Sequence, residues 1–103
     1  MKLWIDDVRP APEGYVWMKT TNDVLRCIRN RGHKIELIDL DHDAGTYISH
    51  GGDYIEILKE MERLRYIFDY DFSHIKFRLH SANPVGVENM RAIIEKNHWK
   101  EVR

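Results

Sequence analysis

The sequence of 103 residues contains a single cysteine, Cys27, which excludes an internal disulfide. It falls at helical spacing with Leu25 and Ile28, the pattern of a small core residue rather than of a nucleophile. Long apolar runs are also missing, and none approaches the roughly 20 residues of a membrane-spanning helix. The amino terminus reads as a strand and not as a signal peptide, so a cytoplasmic location and no membrane partner are expected. Charge of one sign is lacking too. Lys and Arg number 16 against 17 Asp and Glu, for a formal charge of −1, which leaves no bulk electrostatic argument for nucleic acid, a membrane or a polyanionic partner. There is no Gly-rich dinucleotide loop, no P-loop and no Cys/His zinc spacing. Repeats, low-complexity segments and internal linkers are likewise absent.

What is present is an ordinary globular composition, 43% hydrophobic and 32% charged, long enough for one core without disulfide or metal staples. Residues 1–103 are expected to form a single α/β domain. Leu3-Trp4-Ile5 reads as a buried strand that ends abruptly in Asp6-Asp7. A Pro- and Gly-bearing loop from Arg9 to Gly14 leads to a second strand, Tyr15 to Lys19, expected at the sheet edge. Thr20 to Asp23 supply helix-capping residues before Val24, Leu25 and Ile28, and Gly32 closes that helix. Ile35 to Leu40 is a third strand ending in Asp41-His42-Asp43. A glycine-bearing loop, Ala44 to Gly52, precedes a helix of about four turns beginning near Asp53. Ile75 to Leu79 is a fourth strand ending in His80-Ser81, and Pro84 opens the last helix. Trp99 to Val102 offers a terminal strand. Trp4, Tyr15, Trp17 and Phe77 fall on strands, which favours packing over base stacking.

Alternating strands and helices imply a mostly parallel sheet. The gap between the first two strands, about eight residues, is short for a parallel crossover, which ordinarily takes a dozen or more. Either the second strand runs antiparallel or the crossover is a degenerate loop.

Three polar segments, Asp6-Asp7, Asp41-His42-Asp43 and His80-Ser81-Ala82-Asn83, each follow an apolar strand directly. Ligands of open α/β sheets bind outside the carboxyl ends of the strands, so these segments are expected to converge there. Clustered carboxylates repel one another unless a cation or protons intervene. Asp6, Asp7, Asp41 and Asp43 therefore suit Mg²⁺, with Mn²⁺ as the alternative, bridged to a phosphate. Some of the same acids also suit turn capping, Asp43 most of all. His80 and His42 titrate near neutrality and are candidates for proton transfer. His33, His50, His74 and His98 have no such context and are expected at the surface. Ser81 and Asn83 can bind phosphate together with the following helix N-terminus, or simply cap that helix. Arg9 is placed to neutralise a phosphate, or lies on the surface. Lys19, Arg26, Arg29 and Arg31 with Arg9 offer local positive charge, read first as a solvated face.

The segments Leu3-Trp4-Ile5-Asp6-Asp7-Val8-Arg9-Pro10, Gly14-Tyr15-Val16-Trp17, Leu40-Asp41-His42-Asp43 with Gly45, and His80-Ser81-Ala82-Asn83-Pro84-Val85-Gly86 with Asn89-Met90 together resemble the cyclic-phosphate-processing receiver-like domains. The resemblance spans nearly the whole chain. It implies a relative of response-regulator receivers: a flavodoxin-like three-layer sandwich with four or five strands in the order 2-1-3-4-5, trimmed so that the first and last helices are reduced or absent. It also implies processing of cyclic phosphates such as RNA 2′,3′-cyclic ends, with Asp6, Asp7, Asp41, His42, Asp43, His80, Ser81 and Asn83 as site residues. Phospho-accepting receivers carry an acceptor Asp at the end of the third strand and a Lys at the end of the fifth. Here Asp39 and Asp41 both fit the first position, Asp41 being favoured, and only Lys100 lies near the second.

The expectation is a metal-assisted phosphoesterase acting on a phosphate-containing small molecule or an RNA end. His80, His42 and Asp41 would be catalytic, Ser81, Asn83 and Arg9 would bind phosphate, and Asp6, Asp7, Asp41 and Asp43 would hold the metal. The alternative is a receiver-like signalling or adaptor module, phosphorylated on Asp41 or binding a partner or nucleotide without catalysis.

Overall fold

A computed structural model describes residues 1–103. The first apolar run forms β1 (Lys2–Ile5), and the Tyr-Val-Trp-Met segment forms β2 (Tyr15–Met18). Thr20 caps α1 (Thr21–Arg31) by accepting from the Asp23 amide at 3.1 Å, which satisfies one of the free donors of a helix start. Gly32 ends α1 in a right-handed conformation, φ −55°, and the chain tightens into a 3₁₀ turn instead of a left-handed cap. β3 (Leu37–Leu40) follows, then α2 (Ile55–Phe68), β4 (Lys76–Leu79), α3 (Pro84–Lys96) and the two-residue β5 (Lys100–Glu101). α2 begins two residues after the expected Asp53, because that carboxylate accepts from the Ala44 amide at 2.9 Å and so belongs to the preceding loop. The left-handed position at the end of α2 is occupied by Asp69, φ 58°.

The sheet has five strands in the order β2-β1-β3-β4-β5, and every pairing is parallel. Of the two readings left open for the first connection, the degenerate loop holds. Asp6 to Gly14 crosses without a helix. At ~3.3 Å per extended residue it has length to spare over a strand of four residues. Pro10 and Pro12 keep it extended. Two indoles pin it to the sheet: Trp4 Nε1 donates to the Arg9 carbonyl and Trp17 Nε1 to the Asp6 carbonyl, each at 2.8 Å.

The three remaining connections, β2 to β3, β3 to β4 and β4 to β5, all advance in the same direction along the sheet. Right-handed crossovers therefore put α1, α2 and α3 on one face, where α1 packs on α2 and α2 on α3. Leu3, Ile5, Ile38, Leu40 and Phe77 point to that face and are fully buried beneath the helices. Phe77 stacks on Trp99, 5.3 Å between ring centroids. No helix forms between β1 and β2, so three helices accompany the five strands. The other face carries the row Trp17, Trp4, Asp39 and Arg78, with the Asp6–Gly14 loop tied to its two indoles. Cys27 is half-buried against the core, and burial pushes its thiol pKa up, consistent with a packing role.

Candidate functional site

Asp6 leaves β1 fully buried, on the same face as Trp4. One carboxylate oxygen accepts from the amides of Val8 at 2.9 Å and Arg9 at 2.8 Å, which shapes the turn. The other accepts from His80 Nε2 at 2.9 Å and lies 3.1 Å from Arg9 Nε. Three hydrogen bonds and an ion pair thus engage this carboxylate. Burial pushes its pKa up, but the two amides, the His80 hydrogen bond and the Arg9 charge outweigh that and hold it below the usual aspartate value.

His80 continues the network. Its Nδ1 lies 2.7 Å from Asp39 Oδ1, so the ring sits between two buried carboxylates. Both ring nitrogens donate only when the imidazole carries both protons. The indole of Trp4 stacks on the ring at 3.9 Å and 4° between planes. Asp39 Oδ2 has no hydrogen bond. Its nearest cation is Arg78 at 3.5 Å.

Asp7 and Asp41 have a different environment. Asp41, 8% exposed, accepts from the His42 amide at 2.8 Å, and its other oxygen stands 3.6 Å from Arg9 Nη2. Arg9 pairs with Asp6 and Asp41 but not with Asp7. Burial, together with the negative charges of Asp6, Asp41 and Asp43, pushes the Asp7 carboxyl above its usual range. Oxygen atoms of Asp6, Asp7 and Asp41 lie within 4.8 Å of one another. Gly45, at φ +56°, lets its backbone press on the Asp7 carboxylate, where a Cβ would overlap Oδ2. Tyr54 is packed alongside, its hydroxyl donating to the Lys19 carbonyl at 2.7 Å. Burial and the charges of Asp7, Asp6 and Asp41 push that phenol well up.

Asp43 does not join this triad. It turns to His42, whose Nδ1 lies 2.8 Å from its Oδ1, and the pair groups with Asp53. The reason is local: Asp43 is exposed in the loop beyond the end of β3, where strand alternation no longer sets its direction and it pairs with the adjacent His42. The His42 ring rests on the start of α3, and a Cβ on Gly86 would come within 2.5 Å of it. Ser81 and Asn83 use their oxygens for capping. Ser81 Oγ accepts from the Asn83 amide at 3.1 Å and Asn83 Oδ1 from the Gly86 amide at 3.0 Å. The Asn83 amino group faces Asp43 at 3.5 Å. Lys100 sits at the opposite end of the sheet, paired with Lys76 at the start of β4, because β5 is only two residues long. His33, His50, His74 and His98 are exposed, as expected.

The structure thus brings Asp6, Asp7, Asp41, Arg9 and His80 to one edge, with His42 and Asn83 beside Asp43. Trp4, Asp53, Tyr54 and the partnering of Asp39 were not anticipated. A buried acid in an apolar strand demands a partner, and that was the available signal for Asp39. The donor set suits a hard divalent cation at Asp7 and Asp41, which have fewer partners than Asp6 beside them. Asp6 is already engaged by groups of the chain itself.

Residues 1–96 match the family model described as the cyclic-phosphate processing receiver domain. The chain belongs to that family. No curated protein and no solved structure matches it. The parallel 2-1-3-4-5 sheet of this receiver domain, with acids at its carboxyl edge, is the receiver-like fold that the match leads one to expect. No helix of the domain is long and apolar enough to cross a membrane.

Proposed function

We propose that this receiver domain is a metal-assisted phosphoesterase that opens or removes a cyclic or terminal phosphate, such as an RNA 2′,3′-cyclic end, at the carboxyl edge of its sheet. One observation carries the reading. Asp7 and Asp41 lie close together with only Arg9 near Asp41 to offset their charge, while the neighbouring Asp6 is engaged by two amides, His80 and Arg9. A Mg²⁺ or Mn²⁺ held by Asp7 and Asp41, with Asp6 behind them, would polarise a phosphoryl oxygen and supply an activated water.

The chain's own groups do the rest. Arg9, half exposed, is long enough to exchange Asp41 for a phosphate oxygen. The first turn of α3 turns the positive end of its dipole toward the same edge. Proton transfer falls to His42: Asp43 holds its Nδ1, and Nε2 is left without a partner. His80, with both nitrogens engaged, orients Asp6 instead of shuttling protons.

The test is hydrolysis of uridine 2′,3′-cyclic phosphate followed by ³¹P NMR with and without Mg²⁺. Wild type opens the ring only with metal. His42→Ala loses on the order of a hundredfold, the usual span of a lost acid–base group, and Asp41→Asn loses the metal-dependent turnover with its metal ligand. Absence of turnover with either metal, or full turnover in Asp41→Asn, sinks the reading.

Phosphorylation of Asp41 is a second reading, favoured by its place at the edge beside Arg9 while Asp39 is enclosed. Acetyl phosphate with Mg²⁺ would then give a mass gain of one phosphoryl group that Asp41→Asn abolishes.

A further inference from the structure

A second concave surface lies beside the acidic edge and takes no part in the chemistry above. It is an open groove of about 680 Å³ between the edge strand β2 and the flank of α1, with Tyr47 also in its lining. Its charge is one-sided. Lys19, Arg26 and Arg31 line it against one acid, Asp23, which already pairs with Arg26 at 3.0 Å. Lys19 instead places its ammonium over the Trp17 ring, 4.4 Å from the centroid. For a chain of net charge −1 this is a marked local segregation. Two aromatic residues, Trp17 and Tyr47, stand among these cations, and Trp17 remains 37% exposed.

The groove adjoins the phosphate edge directly. Trp17 Nε1 donates to the Asp6 carbonyl, the Asp6 amide donates to the Met18 carbonyl, and the Tyr54 hydroxyl donates to the Lys19 carbonyl. Tyr47 ends the short turn that begins at Gly45, the residue pressed on Asp7. The groove and the acidic edge are therefore neighbours, joined through the end of β2.

We infer that this groove binds the nucleotides next to the reacting end of a single-stranded polynucleotide, so that the domain selects polymer ends over free cyclic mononucleotides. Cations at Lys19, Arg26 and Arg31 suit successive phosphates, and the part-exposed rings of Trp17 and Tyr47 suit bases. An acidic peptide would meet the charges but leave the rings without a planar partner. The direction of the strand into the groove rests on the proposed phosphate site, whereas binding in the groove itself does not.

Fluorescence anisotropy with a labelled uridine decanucleotide tests it, using one version with a 2′,3′-cyclic phosphate end and one with a plain hydroxyl end. Uridine 2′,3′-cyclic phosphate serves as competitor. Wild type is expected to bind either decamer at least about tenfold tighter than the mononucleotide, the size of one stacked base. If two phosphates are neutralised, affinity falls about 25-fold per tenfold rise in salt. Arg26→Gln with Arg31→Gln collapses the decamer preference and flattens the salt slope. Lys59→Gln with Lys96→Gln, the same charge change on α2 and α3, keeps both. Equal affinity for decamer and mononucleotide overturns the inference, as does retention of the preference in the α1 double variant or equal binding of a ten-residue polyglutamate. Decamer binding that depends on Arg26 and Arg31 without turnover of the cyclic end upholds the groove and overturns the phosphoesterase reading alone.

Discussion

Two regions of the same sheet edge treat their carboxylates in opposite ways. Around Asp6 the chain provides every partner: two amides, an imidazole and a guanidinium on one side chain, with the imidazole passed on to Asp39. Around Asp7, one residue later, it provides almost none, and the carboxyl is pushed up while that of Asp6 is held down. Successive residues at a strand end point in opposite directions, so adjacent aspartates reach unlike surroundings. The lesson concerns division of labour. A buried charge network costs desolvation and fixes geometry, and the exposed side of the same cluster keeps its repulsion for an external cation to relieve.

Breaking the closed region should have the largest effect. His80→Ala removes the shared partner of two buried carboxylates, and loss of about 3–5 kcal/mol is expected in urea unfolding, as for one-sided removal of a buried pair. Phe77→Ala, in the apolar layer on the other face, should cost a similar amount through cavity formation, ~3–5 kcal/mol. The His80 variant also removes a hydrogen bond that holds the Asp6 pKa down, so it alone should alter how stability falls in acid.

Arg9→Ala acts on the boundary between the regions. Its side chain is half exposed, so stability should change by less than about 1 kcal/mol. Because a competing cation leaves the cluster, Mg²⁺ should bind more tightly, on the order of tenfold for one charge at this range. Affinity for the phosphate should weaken. Calorimetric titrations with Mg²⁺ alone and with inorganic phosphate separate the two changes.

The smallest effect is the most diagnostic. Asp7 has a raised pKa, so its charged form costs stability at neutral pH, and the cost is relieved as pH falls through the raised value. Asp7→Asn is therefore expected to be more stable than wild type at pH 7, by under about 1 kcal/mol, with the gap closing on acidification. Asp6 has the opposite sign. Its contribution is complete above the ordinary aspartate pKa of 3.8 and is lost as pH falls below it. A pH series of thermal unfolding from 7 to 2.5 resolves both.

Much of this edge was legible in the sequence because each polar segment follows an apolar strand without a spacer. Asp6, Asp7, Asp41 and His80 could be brought together from that alone. Strand direction at β2 was not legible, since the rule against short parallel crossovers assumes a helix, and Pro10 and Pro12 make one unnecessary. The partition between the regions was hidden for a different reason. It depends on register: Trp4, Asp39 and Arg78 share one row across three strands, and His80 lies beyond that row where it reaches both Asp6 and Asp39. Asp43 was grouped with the metal acids by proximity in sequence, but it lies in the exposed loop beyond β3 and groups with His42 and Asp53. Arg26 and Arg31 read as an ordinary solvated helix face until β2 was placed alongside to make a groove.

The central claim is that Asp7 and Asp41 form the open, cation-seeking half of the edge. Thermal unfolding at pH 7 with increasing Mg²⁺ tests it most directly on wild type, Asp7→Asn and Asp41→Asn. A ligand at one hundred times its Kd adds about 2.7 kcal/mol, so the wild-type Tm should rise by several degrees while both variants stay flat. A wild-type Tm indifferent to Mg²⁺, or an equal rise in Asp7→Asn, would contradict the account.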